Sequence, residues 1–182
     1  MQISFWAKMA SLPVAVFLSA CSPDQNWREV GLEGTSLKVQ LPCKPDRTTR
    51  SVPLGGVPVD LQVVGCESGD AMFAVMSAPL QAGADANALL SGWQSASLGR
   101  AGVPLPLAAD QRQAWHRPGF LPLTSAVRIQ AQGQRSDGQP VTMTAVWGAV
   151  AEGQRIRLVH AVVYGQRASP EWASTLFDGI HP

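Results

Sequence analysis

A chain of 182 residues, 46% of them hydrophobic, is long enough for one domain with a real core, and two domains would strain it. Its 14 Lys and Arg stand against 13 Asp and Glu, a formal net charge of +1, and the basic residues are scattered singly. A nucleic-acid partner would require a basic excess or stripe, so that class is excluded.

The chain opens with one positive charge, Lys8, ahead of an apolar run over residues 9–17 that ends in Leu18-Ser19-Ala20-Cys21. This is the layout of a secretory signal with a small-residue cleavage site. The run is about half of the roughly 20 residues that span hydrocarbon and contains Pro13, so it is not expected to persist as a span. Leu18-Ser19-Ala20-Cys21 resembles the lipobox of bacterial lipoproteins. The resemblance implies that residues 1–20 are a signal peptide cut before Cys21, and that Cys21 carries a diacylglyceryl thioether and an acylated amine. Two or more chains anchor a protein stably where one does so only marginally. Ser22, in place of an Asp after the cysteine, implies the outer membrane, periplasmic face, by the sorting pattern of Gram-negative lipoproteins. The alternative is an ordinary secretory signal followed by an incidental cysteine. Residues 21–27 then read as a lipidated tether and residues 28–182 as a single globular domain. Losing Lys8 from the 14 basic residues leaves 13 against 13 acids, a balance of zero.

With Cys21 committed to lipid, Cys43 and Cys66 remain, and an even pair in an oxidising compartment reads as a disulfide. It would close a loop of about two dozen residues, worth on the order of 3 kcal/mol in the chain-entropy model. Two inert buried thiols are the alternative. The spacing is far wider than the Cys-x-x-Cys pair of redox catalysis.

Residues 35–41 and 57–63 alternate apolar and polar side chains, the mark of half-buried strands. Residues 48–52, bounded by Pro45 and Pro53, read as a short edge strand. Residues 71–76 follow a Ser68-Gly69-Asp70 turn and predict a hairpin. Asp85 as N-cap, with Leu89, Leu90, Trp93 and Ala96 at helical spacing, predicts a helix over residues 86–98, stopped by Gly99 and Pro104. Residues 103–122 carry four prolines and predict an irregular segment with at most one short strand near residues 113–117. Residues 126–132, 141–150 and 155–164 predict a three-strand meander. Leu158-Val159-His160-Ala161-Val162-Val163 is apolar on both faces, which fits a central strand with two covering layers. Ser169-Pro170-Glu171 opens a closing helix with Trp172, Leu176, Phe177 and Ile180 as its stripe.

These elements make an α+β fold, a largely antiparallel sheet of about six to eight strands with two helices, compatible with a three-layer α/β/α sandwich. Their order, with Leu37-Lys38-Val39-Gln40-Leu41-Pro42 and the apolar closing helix, resembles the Mog1/PsbP-like α/β architecture over residues 27–182. No binding or catalytic residue carries over with that resemblance, and fold alone does not fix function.

The chain contains no nucleophile elbow, S-x-x-K, P-loop or G-x-G-x-x-G motif, so no enzymatic activity and no cofactor are expected. His116, His160 and His181 have no metal-ligand spacing. His160 reads as a satisfied core histidine. Trp93 and Trp172 fall on helix stripes, and Trp27, Trp115 and Trp147 are better explained by core filling than by a ligand cage. Trp115-His116-Arg117, in the Pro-stiffened segment, form the candidate binding site, because Trp and Arg are enriched at interface hot spots. The competing reading is that Trp115 plugs the core and Arg117 only solvates a strand end.

The expected function is a membrane-anchored periplasmic lipoprotein with a non-catalytic binding or envelope-assembly role, its partners the membrane through Cys21 and an envelope protein. The alternative is a small-ligand binder with its cleft between the sheet and the Pro-rich segment, and a third reading is a hydrolase with a non-local site. A flat apolar patch favours the first, a concave pocket with convergent polar groups the second, and clustered His and carboxylates the third.

Overall fold

The computed structural model describes residues 25–166 and 168–182. In chain order the elements are strands β1 (Arg28–Gly31), β2 (Lys38–Leu41), β3 (Asp46–Leu54), β4 (Val57–Ser68) and β5 (Ala71–Pro79) and helix α1 (Ala86–Arg100). Then come a 3₁₀ turn (Ala109–Gln111), strands β6 (Arg112–Ala114), β7 (Val127–Gln134), β8 (Pro140–Glu152) and β9 (Arg155–Gly165), and helix α2 (Pro170–Asp178). Seven strands form one antiparallel sheet in the order β3-β4-β5-β9-β8-β7-β6, and β1 and β2 form a separate hairpin. The fold is the α+β class its sequence predicts.

β9 occupies the middle of the sheet, with three strands on either side. Alternate residues on it face two different layers, which is why its sequence is apolar at consecutive positions. Val159, Ala161 and Val163 join a core closed by α2 and the β1–β2 hairpin, while Leu158 joins a second core under α1. Meander β7–β8–β9 and hairpin β4–β5 pair in the registers that their turns dictate.

Several boundaries differ from the sequence expectation, each for a local reason. The strand expected over residues 35–41 begins only at Lys38. Thr35 forms a local turn first, its Oγ1 donating to the Leu32 carbonyl at 2.9 Å and accepting from the Leu37 N–H at 3.1 Å. α1 runs past Gly99 because the residue that leaves the helix is Gly102, at φ +63°. The Gly102 N–H bonds the Gly99 carbonyl and the Val103 N–H bonds the Leu98 carbonyl, a Schellman stop closed by apolar Leu98 and Val103. The strand expected near residues 113–117 covers only Arg112–Ala114, since Trp115 leaves the sheet edge for the interior. β1 has a single buried residue, Val30, and no periodic signal; it is a strand because β2 pairs with it.

The polypeptide is already docked within the stretch expected as tether. The Asn26 N–H bonds the Pro42 carbonyl at 2.8 Å, and Trp27 meets Phe73 edge-on at 5.8 Å between ring centroids. Cys43 and Cys66 are joined in a disulfide that ties the β2–β3 connection to β4, across 23 residues of sequence. Among the described residues, no helix is long and apolar enough to cross a membrane.

Candidate functional site

α1 does not lie flush on the sheet. Its N-terminus is capped by Asp85, whose carboxylate accepts from the Asn87 N–H at 2.8 Å. Asn87 Oδ1 then accepts from the Ser125 hydroxyl at 2.9 Å, and the Gln94 amide donates to the Ser125 carbonyl at 2.7 Å. At the other end the Gln134 N–H donates to the Ala101 carbonyl at 3.0 Å. That approach needs two glycines: a Cβ on Gly133 would strike the Ala101 carbonyl, and one on Gly102 would come within 2.5 Å of the Gln134 oxygen. The helix is therefore pinned along its β7 side, and its opposite flank hangs over β4, β5 and β9.

Beneath that flank the strand register cuts a trough. Gly65, Ala74, Val162 and Ala145 stand side by side on β4, β5, β9 and β8, a row of small or short side chains. On one side runs the row Met72, Tyr164 and Met143, and on the other Val63, Met76, His160 and Trp147. Side chains opposite one another in antiparallel strands share a face, and from these two rows Met72, Tyr164, Met143, Met76 and His160 line the cleft. α1 roofs it with Ala88, Gly92 and Ala96, which recur every four residues, and the β3–β4 hairpin closes one end with Val52, Pro53 and Leu54. The result is a cleft of about 670 Å³, within the roughly 300–1,000 Å³ usual for small-molecule sites. Three methionines in its walls give it an apolar lining that can reshape around a ligand.

His160 is the polar group at the inner wall. It is 2% exposed, stacked on Trp147 at 4.3 Å and 7° and met edge-on by Trp93 at 5.4 Å. Its Nδ1 lies 3.1 Å from the Val146 carbonyl. A carbonyl can only accept, so the proton sits on Nδ1 and Nε2 is left as an acceptor. Burial drives its pKa down to about 4 against a partial rise from the Val146 bond, so the ring is neutral at pH 7. At the end of the cleft away from the hairpin stand Tyr164, Ser97 and Arg100.

The residues singled out in the sequence lie elsewhere. Trp115 is 9% exposed and packs on Phe120 in the α2-side core. His116 is exposed. Arg117 pairs with the Asp178 carboxylate at 3.0 Å and also donates to the Asp178 carbonyl at the end of α2. The three do not converge on one surface. Cys21 lies outside the described residues. The cleft is bounded by α1 and the sheet and not, as the small-ligand reading expected, by the sheet and the Pro-rich segment. A broader depression along α2 between Gln40 and His181 is edged by Glu171, Ser174, Thr175 and Asp178, the solvated flank of that helix.

Among the described residues, no group of three or more His, Cys, Asp or Glu side chains could hold a metal. The His and carboxylate pair at the surface, His181 and Glu29 at 3.6 Å, is shared with Lys38. Comparison with family models, curated proteins and solved structures finds no match to the chain.

Proposed function

We propose that the chain is a lipid-anchored lipoprotein of the cell envelope, held at the periplasmic face of the outer membrane through Cys21, that binds a small apolar ligand non-catalytically in the cleft beneath α1. The domain is of the Mog1/PsbP-like architecture in this reading, which rests on the order of its elements. The observation that carries the ligand assignment is the cleft itself, concave and apolar, with His160, Tyr164 and Arg100 as its few polar groups. An assembly surface would need a contiguous apolar patch. The exposed large hydrophobics among the described residues are Val57, Met72 and Leu105, on separate segments, and Met72 belongs to the cleft. A hydrolase would need acids and bases together, whereas His160 is enclosed by two tryptophans and His116 is exposed.

The anchor is tested by Cys21→Ser, which should abolish acyl labelling and release the protein from membranes. Unchanged labelling would remove that part of the reading.

The cleft is tested by Gly92→Phe. A Cβ on Gly92 meets nothing within 4 Å, so the new ring enters the cleft without disturbing the backbone. Any ordinary residue is also better than glycine inside a helix, by roughly 0.3–0.9 kcal/mol. The variant should therefore keep the wild-type unfolding midpoint while its affinity for the neutral fluorophore N-phenyl-1-naphthylamine falls by about tenfold or more. Equal binding by both proteins, or no binding by the wild type, would overturn the assignment.

A further inference from the structure

The cleft is chemically polarised along its length, and, resting on the reading above that it holds a ligand, we propose that this ligand is a single aliphatic chain ending in a carboxylate. At the hairpin end the walls are Val52, Pro53 and Leu54. At the other end Arg100 lines the cleft, and the Arg135 guanidinium lies 5.8 Å from the centroid of the Tyr164 ring, itself a wall. The hydrogen bond between the Gln134 N–H and the Ala101 carbonyl brings together the backbones of the two segments that carry these arginines. Neither arginine makes a salt bridge among the described residues, and no Asp or Glu lines the cleft. Glu67 and Asp70 border a separate depression with Arg135, on the far side of Met72.

The Arg100 guanidinium lining the end of an apolar cleft, with Arg135 over the wall residue Tyr164, complements a carboxylate in charge. The planar fork of arginine offers paired donors to the two carboxylate oxygens, and the cleft-lining Tyr164 carries a further hydroxyl donor. A neutral head would leave Arg100 with no counter-charge in the cleft, and a cationic head would be repelled. The aliphatic part fits the apolar lining of Met72, Met76, Met143 and Val162.

The test is displacement of N-phenyl-1-naphthylamine from the full-length mature protein by laurate, dodecanol and dodecyltrimethylammonium, which share a chain and differ in head group. Laurate should compete about tenfold more strongly than dodecanol, and the cation most weakly. In the double variant Arg100→Gln, Arg135→Gln the advantage of laurate over dodecanol, read as the ratio of the two competitors within the same protein, should disappear. Equal competition by laurate and dodecanol in the wild type, or an unaltered laurate advantage in the double variant, would overturn the carboxylate assignment and leave the cleft as an apolar site. Failure of the wild type to bind the fluorophore or any of the three compounds would overturn both.

Discussion

Replacing Trp115 with alanine is expected to lower the free energy of unfolding by about 3–5 kcal/mol, the usual range for deleting a buried tryptophan. The indole is 9% exposed and sits in a T-shaped pair with Phe120 at 4.8 Å. β8 has given up a side chain to admit it: a Cβ on Gly148 would lie 2.9 Å from the Trp115 ring and 3.0 Å from Phe120. Phe120 is held by its bridge to Val150, and the next N–H, of Leu121, bonds the Ala149 carbonyl at 2.8 Å. Removing Trp115 therefore opens a cavity that a rigid strand and a bridged loop cannot collapse to fill. Arg117→Ala in the same segment should cost less than about 1 kcal/mol, because its pair with Asp178 is largely solvated. Urea unfolding of the two single variants separates the roles. Near-equal midpoints, with loss of a partner or ligand in Trp115→Ala, would restore the recognition role that the Trp-His-Arg run invites.

The example shows where sequence reasoning runs out. An aromatic in a Pro-rich irregular segment looks available for recognition, because nothing local says what it will be packed against. Its partner is a glycine some thirty residues away in sequence, and a glycine leaves no hydrophobic signal. Elements whose cause is local were legible. The Asp85 and Ser169 caps, the β4–β5 and β7–β8–β9 turns and the two-faced apolar run of β9 all carry their reasons in neighbouring residues, and each forms as read. The disulfide was legible once the lipobox resemblance set Cys21 aside and left an even pair. β1 was not, since its strand character comes from a partner and not from its own residues.

The cleft was illegible for a related reason. It exists because Gly65, Ala74, Val162 and Ala145 fall into one register row and because α1 is hung from Ser125 and Gln134 on one side only. Alanine and valine in strands read as ordinary core, and only the cross-strand alignment turns them into a trough. Met72 and Met76 offered the one available hint, long apolar side chains placed two turns of the pleat apart on the same face. The core reading of His160 came from its place in an apolar strand. What that reading could not supply is that the ring also forms the inner wall of a cleft.

Acidification is expected to weaken the fold through His160 by about 3 kcal/mol between pH 6.5 and pH 4. In the unfolded chain the imidazole titrates near 6.5, whereas in the folded protein burial holds its pKa down to about 4, offset in part by the Val146 hydrogen bond. The unfolded state thus binds the proton first. The stabilisation is complete above pH 6.5, is lost progressively as pH falls toward 4, and below both values falls no further. Trp147 and Trp93 flank the ring, and among the described residues no carboxylate pairs with it to stabilise an imidazolium. His160→Phe keeps an aromatic ring against Trp147 and removes the titration. Some stability should be lost at pH 7 with the Val146 bond, but the variant should weaken less on acidification than the wild type does. Every other titratable group is common to the two proteins and cancels from the comparison. Urea unfolding at pH 7, 5.5 and 4 gives the two slopes. Identical slopes would mean that the ring accepts its proton within the fold, and that the inner wall of the cleft is wetter and more open than its enclosure by two tryptophans implies.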